Sequence, residues 1–243
     1  MDALAAISEH SAGLAAAARD NLEARVEHCP EWDVADLVHH VTDVHWFWTT
    51  IAAEALDAPP DESLRPGRVP DRDLVDTFLA GAERMVAVLR DADQSAAVWT
   101  WAPAQRDIAF ITRHQVQEAA VHHWDAVNAT GGQLAFDPGV ASDAIAEFLS
   151  FSISSDADPA DPPRPSLDGR LVLRCDDLDE SWTVEDGAAP GTVAFRLGTH
   201  GDAPSLVATA SGLLLWLYRR VEIDTGECPT ELIGRFRDLC FTD

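Results

Sequence analysis

The apolar residues of this chain change their spacing once, and this change limits the fold to a helical part followed by a mixed part. Up to about residue 155 they recur at helical spacing. The predicted helices cover residues 2–27, 34–56, 71–92, 107–129 and 138–153. Asp33 is the expected N-cap of the second helix, with Asp36 at its third position.

Beyond the helical part, the segment SSDADPADPPRPSLD is rich in Ser, Asp and Pro and has no apolar periodicity, which is typical of a linker. The chain then carries short apolar runs separated by turns, which predict strands, and a very apolar stretch that predicts a helix. The strands are expected at residues 171–173, 181–184 and 192–195, and the helix at residues 205–221. We predict an α+β protein with a helical bundle in residues 1–155, a linker in 156–168 and a small α+β domain in 169–243.

The charge of the chain limits its partners. The net charge is −25, from 42 acidic and 17 basic residues. A chain this acidic repels nucleic acid and anionic membrane surfaces, so we expect neither as a partner. We expect a small-molecule ligand, and a protein that is a monomer or a weak homodimer.

The N-terminal residues and the cysteines indicate the cellular compartment of the protein. The N-terminal residues lack a basic region followed by an apolar one, so no signal peptide is expected, and no run of about 18 apolar residues predicts a membrane span. The four cysteines, at positions 29, 175, 228 and 240, form no closely spaced pair. Disulfides are therefore not implied, and a cytoplasmic location is expected.

The histidines form two clusters, and each cluster falls on a predicted helix. One holds His39, His40 and His45, and the other holds His114, His122 and His123. In the second cluster Glu118 and His122 are four residues apart, which places both side chains on one helical face, within reach of one cation. His114 extends the same stripe, and His40 could point into the bundle from the other helix.

Two imidazoles and one carboxylate suit zinc and other divalent first-row ions. Three protein ligands leave a fourth position for water or substrate, which is the pattern of catalytic rather than structural zinc sites. The residues alone leave open which member of each neighbouring pair, His39 or His40 and His122 or His123, faces the ion. A solvent-facing position is the alternative for His39 and His123.

Two segments resemble the signatures of the mycothiol-dependent maleylpyruvate isomerase family, within the superfamily of DinB-like four-helix bundles. They are CPEWDVADLVHHVTDVHWFW and RHQVQEAAVHHWDA, and the apolar helix ending in LLLWLYRR resembles the end of that family's C-terminal domain. The resemblance implies a DinB-like up-down four-helix bundle before the α+β domain. It also implies a zinc ion held by His40, Glu118 and His122, with mycothiol as the thiol that reaches the metal.

The resemblance implies cis–trans isomerisation, or another thiol addition or transfer reaction, on a small carboxylate. The resemblance implies that a metal-bound thiolate adds to the double bond of a maleyl group, which then rotates before the thiol is eliminated. A dicarboxylate substrate calls for a cationic clamp in so acidic a protein, and Arg219 and Arg220 are the candidates. Arginines at a helix C-terminus are also common as surface residues that compensate the helix dipole.

Two other interpretations stay open. One is a different metal-dependent reaction on the same bundle, such as hydrolysis by metal-activated water. The other is a non-catalytic metal-binding or small-ligand-binding protein, or a regulator. Asp125 could orient a ligand histidine by a hydrogen bond, or could serve only the structure of the helix.

Overall fold

The computed structural model describes residues 2–102, 105–153, 165–199 and 201–242. The contacts divide the chain into two compact units, Met1–Leu134 and Ala135–Asp243. In chain order the elements are α1 Ala3–Ala18, α2 Val34–Glu54, α3 Asp71–Asp91, α4 Ile108–Ala129, α5 Pro138–Phe151, β1 Arg170–Cys175, β2 Ser181–Asp186, β3 Val193–Leu197, β4 Ser205–Ala208, α6 Ala210–Leu217 and α7 Thr230–Leu239. A short 3-10 helix, Glu62–Leu64, lies in the loop between α2 and α3.

The first unit is built from α1 to α4. Helices α1 and α2 each pack against both α3 and α4, while α1 and α2 touch each other much less. The core of this unit consists of apolar side chains from all four helices, among them Ile7, Leu14, Leu37, Val41, Leu74, Phe78, Met85 and Ile111. A helical N-terminal region followed by a sheet with helices confirms the predicted α+β fold class.

Aspartates cap the N-termini of α2 and α4. The side chain of Asp33 accepts a hydrogen bond from the backbone N–H of Asp36 at 2.9 Å, and the Asp36 carboxylate accepts one from the Asp33 N–H at 3.3 Å. This reciprocal capping box starts α2 where the sequence predicted. Asp107 caps α4 by accepting from the Phe110 N–H at 2.9 Å. The two helices that carry the histidine clusters therefore begin at fixed positions.

The first helix is shorter than predicted. It ends at Ala18 rather than near residue 27, and the Asn21 side chain donates to the Ala17 carbonyl in its last turn at 2.9 Å. Val26 is buried, but it reaches the core from a non-helical segment in which its N–H donates to the Trp32 carbonyl. Apolar residues at roughly helical spacing can therefore be buried without forming a helix. Here the Asn21 side chain satisfies a carbonyl at the end of α1, which helps the helix to end there.

The second unit holds a four-stranded sheet in the order β3-β2-β1-β4. Strand β1 pairs antiparallel with β2, β2 pairs antiparallel with β3, and β1 pairs parallel with β4. Helix α6 packs against β1, β4 and α5. The three predicted strands are confirmed. Each is slightly longer than predicted, and β3 begins one residue later.

The prediction of one helix over residues 205–221 was wrong at both ends, because the helix there, α6, covers only Ala210–Leu217. Residues Ser205–Ala208 form β4, and Thr209 then caps α6 through a hydrogen bond from the Gly212 N–H at 3.0 Å. A short buried apolar run is compatible with either a strand or a helix, and pairing with β1 decides for the strand. Helix α7 was not predicted.

Helix α5 belongs to the second compact unit, although the sequence had assigned it to the helical domain. The domain limits of 1–155 and 169–243 stay predictions. Of the expected linker 156–168, residues 156–164 lie outside the described residues. None of the described helices combines the length and the apolar character needed to cross a membrane.

Two helical glycines offer a matched test of the bundle. A Cβ on Gly13 of α1 would lie 2.2 Å from Cε1 of His123, whereas a Cβ on Gly81 of α3 would meet nothing nearer than 4.0 Å. We expect Gly13→Ala to lower the free energy of unfolding by about 1–3 kcal/mol because the imidazole must move. Gly81→Ala should raise it by about 0.5–1 kcal/mol through the lost chain entropy of glycine.

Denaturant titrations followed by circular dichroism would measure both changes. Equal stability of the two alanine variants would contradict the close contact between α1 and α4 at Gly13.

Candidate metal centre

Helix α4 places Glu118 and His122 one turn apart on the same face. Nε2 of His122 lies 3.5 Å from Oε2 of Glu118. Both side chains are mostly buried, with 21% of the Glu118 side chain and 12% of the His122 side chain exposed. The i, i+4 spacing on a helix therefore produces the close pair that the sequence predicted.

Helix α2 brings His40 to this pair. Its ring meets the His122 ring edge to face, with 5.1 Å between the centroids and an interplanar angle of 81°. One ligand atom from each of His40, Glu118 and His122 lies within 4.8 Å of the others. The ring of Trp32 packs against that of His40, with 4.9 Å between the centroids. The structure thus brings together the three residues that sequence reasoning singled out.

The size of this group suits one small cation. Zinc bonds of about 2.1 Å to nitrogen and oxygen place two ligand atoms of a tetrahedral site about 3.4 Å apart, and at most about 4.2 Å. The Glu118–His122 separation of 3.5 Å matches the tetrahedral value. The limit of 4.8 Å for the whole group is slightly wider, so a shift of less than about 1 Å would close the site around an ion.

Asp125 orients the His122 ring. Its Oδ2 lies 3.1 Å from Nδ1 of His122, and the carboxylate is fully buried. An imidazole held at Nδ1 by a carboxylate presents Nε2 to a metal and becomes a stronger base. The hydrogen bond between Asp125 and a candidate ligand, one of two alternatives from the sequence, is therefore confirmed.

The protonation of the pair follows from its surroundings. Burial acts to raise the pKa of Glu118, but hydrogen bonds from His114 and His122 outweigh it and hold that pKa well below its usual range. Burial acts to lower the pKa of His122, but the carboxylates of Asp125 and Glu118 raise it to about 9. Glu118 is therefore anionic near neutral pH, and His122 carries a proton that a bound cation would displace.

The neighbouring histidines point elsewhere. Nδ1 of His39 lies 3.7 Å from Oδ1 of Asp43, and Nδ1 of His123 lies 3.2 Å from Nδ1 of His10 on α1. His40 and His122 are thus the members of the two pairs that join Glu118. Neither His39 nor His123 faces open solvent, because both are partly buried.

His45 lies in the core of the bundle. Only 2% of the residue is exposed, and its ring stacks on Phe78 with 5.2 Å between the centroids. Burial lowers its pKa to about 4 although the charge of Glu118 acts to raise it, so the imidazole is neutral at physiological pH. Among the residues that the structure describes, the group able to hold a metal consists of His40, Glu118 and His122, and His45 is outside it.

His114 continues the stripe towards the N-terminus of α4. Its Nε2 lies 3.4 Å from Oε1 of Glu118, whereas the 3.5 Å separation from His122 is measured to Oε2. The sequence showed the spacing of four residues but gave no role to His114. Phe110 lies one turn before His114 on α4, so helical spacing brings their rings together, whereas Trp48 of α2 and Trp101 of the segment before α4 reach His114 only through tertiary packing.

The two arginines expected to bind substrate carboxylates follow α6 in the second unit. The exposed Arg219 has a left-handed backbone conformation, with φ of 61°, and its Nη2 donates to the Arg237 carbonyl at 3.1 Å. The buried Arg220 donates from Nη1 to the Tyr218 carbonyl at 2.8 Å. The clamp role of Arg219 and Arg220 stays a prediction.

A comparison with known protein families matches the helical part of the chain that carries this site. A family model described as "Mycothiol maleylpyruvate isomerase N-terminal domain" matches residues 3–127, about half of the chain. This range contains α1 to α3 and nearly all of α4, and with them His40, Glu118 and His122. Searches of curated proteins and of solved structures found no match. By this match over half of its length, the chain belongs to the mycothiol maleylpyruvate isomerase N-terminal domain family.

Proposed function

We propose that this protein is a divalent-metal enzyme that uses zinc and mycothiol for isomerisation or another thiol addition or transfer reaction on a small carboxylate. The observation that carries the proposal is the group of His40, Glu118 and His122, whose ligand atoms lie within 4.8 Å of one another. Membership of a family described by mycothiol and maleylpyruvate isomerase supports the choice of thiol and reaction.

The donor set supports a catalytic rather than a structural ion. Two imidazole nitrogens and one carboxylate oxygen are typical of zinc sites that keep a fourth position open. The described cysteines, at positions 29, 175, 228 and 240, form no disulfide, and the metal-compatible group contains none of them. Asp125 holds His122 in the orientation that a ligand needs.

The protein's side chains would bind and orient, while the ion would supply the chemistry of a Lewis acid that lowers the pKa of a thiol. Addition of the thiolate to a conjugated cis double bond turns it into a single bond that can rotate. Elimination of the same thiolate then restores the double bond in the trans form. The cycle consumes neither thiol nor water and needs no oxidant.

Substrate carboxylates need cationic partners, and the arginines after α6 are our candidates. Arg219 is the better one because it is exposed, whereas Arg220 is buried with its Nη1 donating to a nearby carbonyl. A guanidinium can bind a carboxylate through two parallel hydrogen bonds. Replacing Arg219 by Ala should raise KM for a dicarboxylate more than it lowers kcat.

Metal content tests the site directly, with neighbouring histidines as a matched pair. We expect His40→Ala to lose the bound ion and His39→Ala to keep it, since only His40 joins Glu118 and His122. Elemental analysis of the purified variants, with folding checked by circular dichroism, would measure this. Folded wild-type protein that takes up no zinc would refute the metal centre.

The hydrogen bond between Asp125 and His122 gives a graded prediction. In Asp125→Asn a neutral amide replaces the carboxylate at 3.1 Å from Nδ1, so His122 becomes a weaker base. Zinc affinity should fall about 10- to 100-fold, which is the usual loss when a residue hydrogen-bonded to a metal-ligating histidine is replaced. Competition with a chromophoric chelator would measure the change, and unaltered affinity would argue against this role.

Thiol dependence separates the proposed reaction from its rivals. We expect the zinc-loaded protein to convert maleylpyruvate, or a related cis-unsaturated dicarboxylate, to its trans isomer only when mycothiol is added. Magnetic resonance spectra of the product would show an isomer of unchanged mass. Hydrolysis without thiol would favour a metal-dependent hydrolase, and zinc binding without any reaction would favour a binding protein.

A further inference from the structure

We propose that His114 is a positioning residue that holds one oxygen of Glu118, so that the carboxylate binds the ion through its other oxygen alone. The inference rests on the proposed metal centre. It assigns a role to a histidine that lies one turn before Glu118 on α4 and outside the group of three candidate ligands.

The first support is the way that two histidines share the carboxylate. Nε2 of His114 lies 3.4 Å from Oε1 of Glu118, and Nε2 of His122 lies 3.5 Å from Oε2. The three residues follow one another at intervals of four along α4, so the carboxylate lies between the two histidines on one face of the helix.

The second support is the tautomer of His114. Nε2 of the Gln117 amide lies 3.0 Å from Nδ1 of His114. An amide nitrogen is a donor, so this Nδ1 accepts, and the proton of the neutral ring is on Nε2. That N–H faces Oε1 of Glu118 and donates to it. The neighbouring amide thus sets His114 as a donor towards the carboxylate.

The third support is the rigidity of the ring. The His114 ring stacks on Phe110 with 5.5 Å between the centroids and 14° between the planes, and it meets Trp48 and Trp101 edge to face at 5.9 and 5.3 Å. Only 7% of the residue is exposed. A donor fixed by packing constrains its acceptor at little further entropic cost.

The consequence concerns the coordination number of the ion. If Oε1 is held by His114, Glu118 contributes one bond, and with His40 and His122 the protein supplies three. The fourth position then stays open for the thiol. Without the donor, the carboxylate can rotate to bind through both oxygens, which fills a position that the reaction needs.

The test compares His114→Phe with His114→Gln. Phenylalanine keeps a flat ring among the aromatic neighbours but has no N–H, whereas the side-chain amide of glutamine can restore a donor near the position of Nε2. Trp101→Phe serves as the control, because it alters the ring packing on His114 and leaves the hydrogen bond in place. Two properties would be measured on each protein: zinc affinity by chelator competition, and the visible spectrum with cobalt(II) in place of zinc.

We expect His114→Phe to weaken zinc binding about 10- to 100-fold and to reduce the cobalt absorption towards that of a five-coordinate ion. His114→Gln should recover most of both properties, and Trp101→Phe should resemble wild type. A wild-type affinity and spectrum in His114→Phe would overturn the inference, as would equal losses in the Phe and Gln variants, which would indicate packing alone.

A second variant keeps the test decisive if His114→Phe does not fold. Gln117→Leu leaves His114 in place but removes the donor that fixes its tautomer, so zinc affinity should fall in the same direction by a smaller factor. Unchanged affinity there would overturn the inference. Wild-type protein that binds no metal would instead refute the proposed function itself, and the two failures are therefore distinguishable.

Discussion

The mostly buried carboxylate of Glu118 is the constraint on which the candidate metal centre depends. A charge in a protein interior is costly unless hydrogen bonds and opposite charges surround it. Here His114 and His122 meet the two oxygens from the same helix, and together they hold the pKa of the carboxyl well below its usual range despite burial. The remaining side of the group is completed by His40 from α2. An anionic carboxylate between imidazoles is also what a divalent cation requires.

Further residues restrain this arrangement without belonging to the ligand group. Asp125 holds the ring of His122 from the far side, and Gln117 does the same for His114. Both contacts come from α4, so one helix carries the carboxylate, its two histidines and the groups that orient them. The Asp33–Asp36 capping box fixes the start of α2 and thereby the helical position of His40. Geometry at the site therefore depends mainly on local helical spacing and on the packing of α2 against α4.

Much of the site could be predicted because two of its candidate ligands are spaced by about one helical turn. Glu118 and His122 are four residues apart, so any helix through them makes the pair, and the Asp33 cap marks where α2 begins. Elements with weaker local signals were missed. The run Ser205–Ala208 was read as helix because short apolar stretches carry no distinctive period, and only pairing with β1 makes it a strand. The predicted first helix extended too far because Val26, although buried, lies in the non-helical segment that follows α1.

The sequence by itself determined the fold class, the two histidine clusters and the ligand types, since these follow from periodicity and residue chemistry. Spacing alone left the choice between the neighbouring histidines open; the family resemblance implied His40 and His122, and the tertiary structure is what brings these two to Glu118. A step of one residue turns a side chain by about 100° around a helix, so His40 joins Glu118 while His39 lies beside Asp43, and His122 joins it while His123 lies beside His10. Which of these directions faces the partner helix depends on how α1, α2 and α4 pack, and helical spacing by itself does not specify that packing.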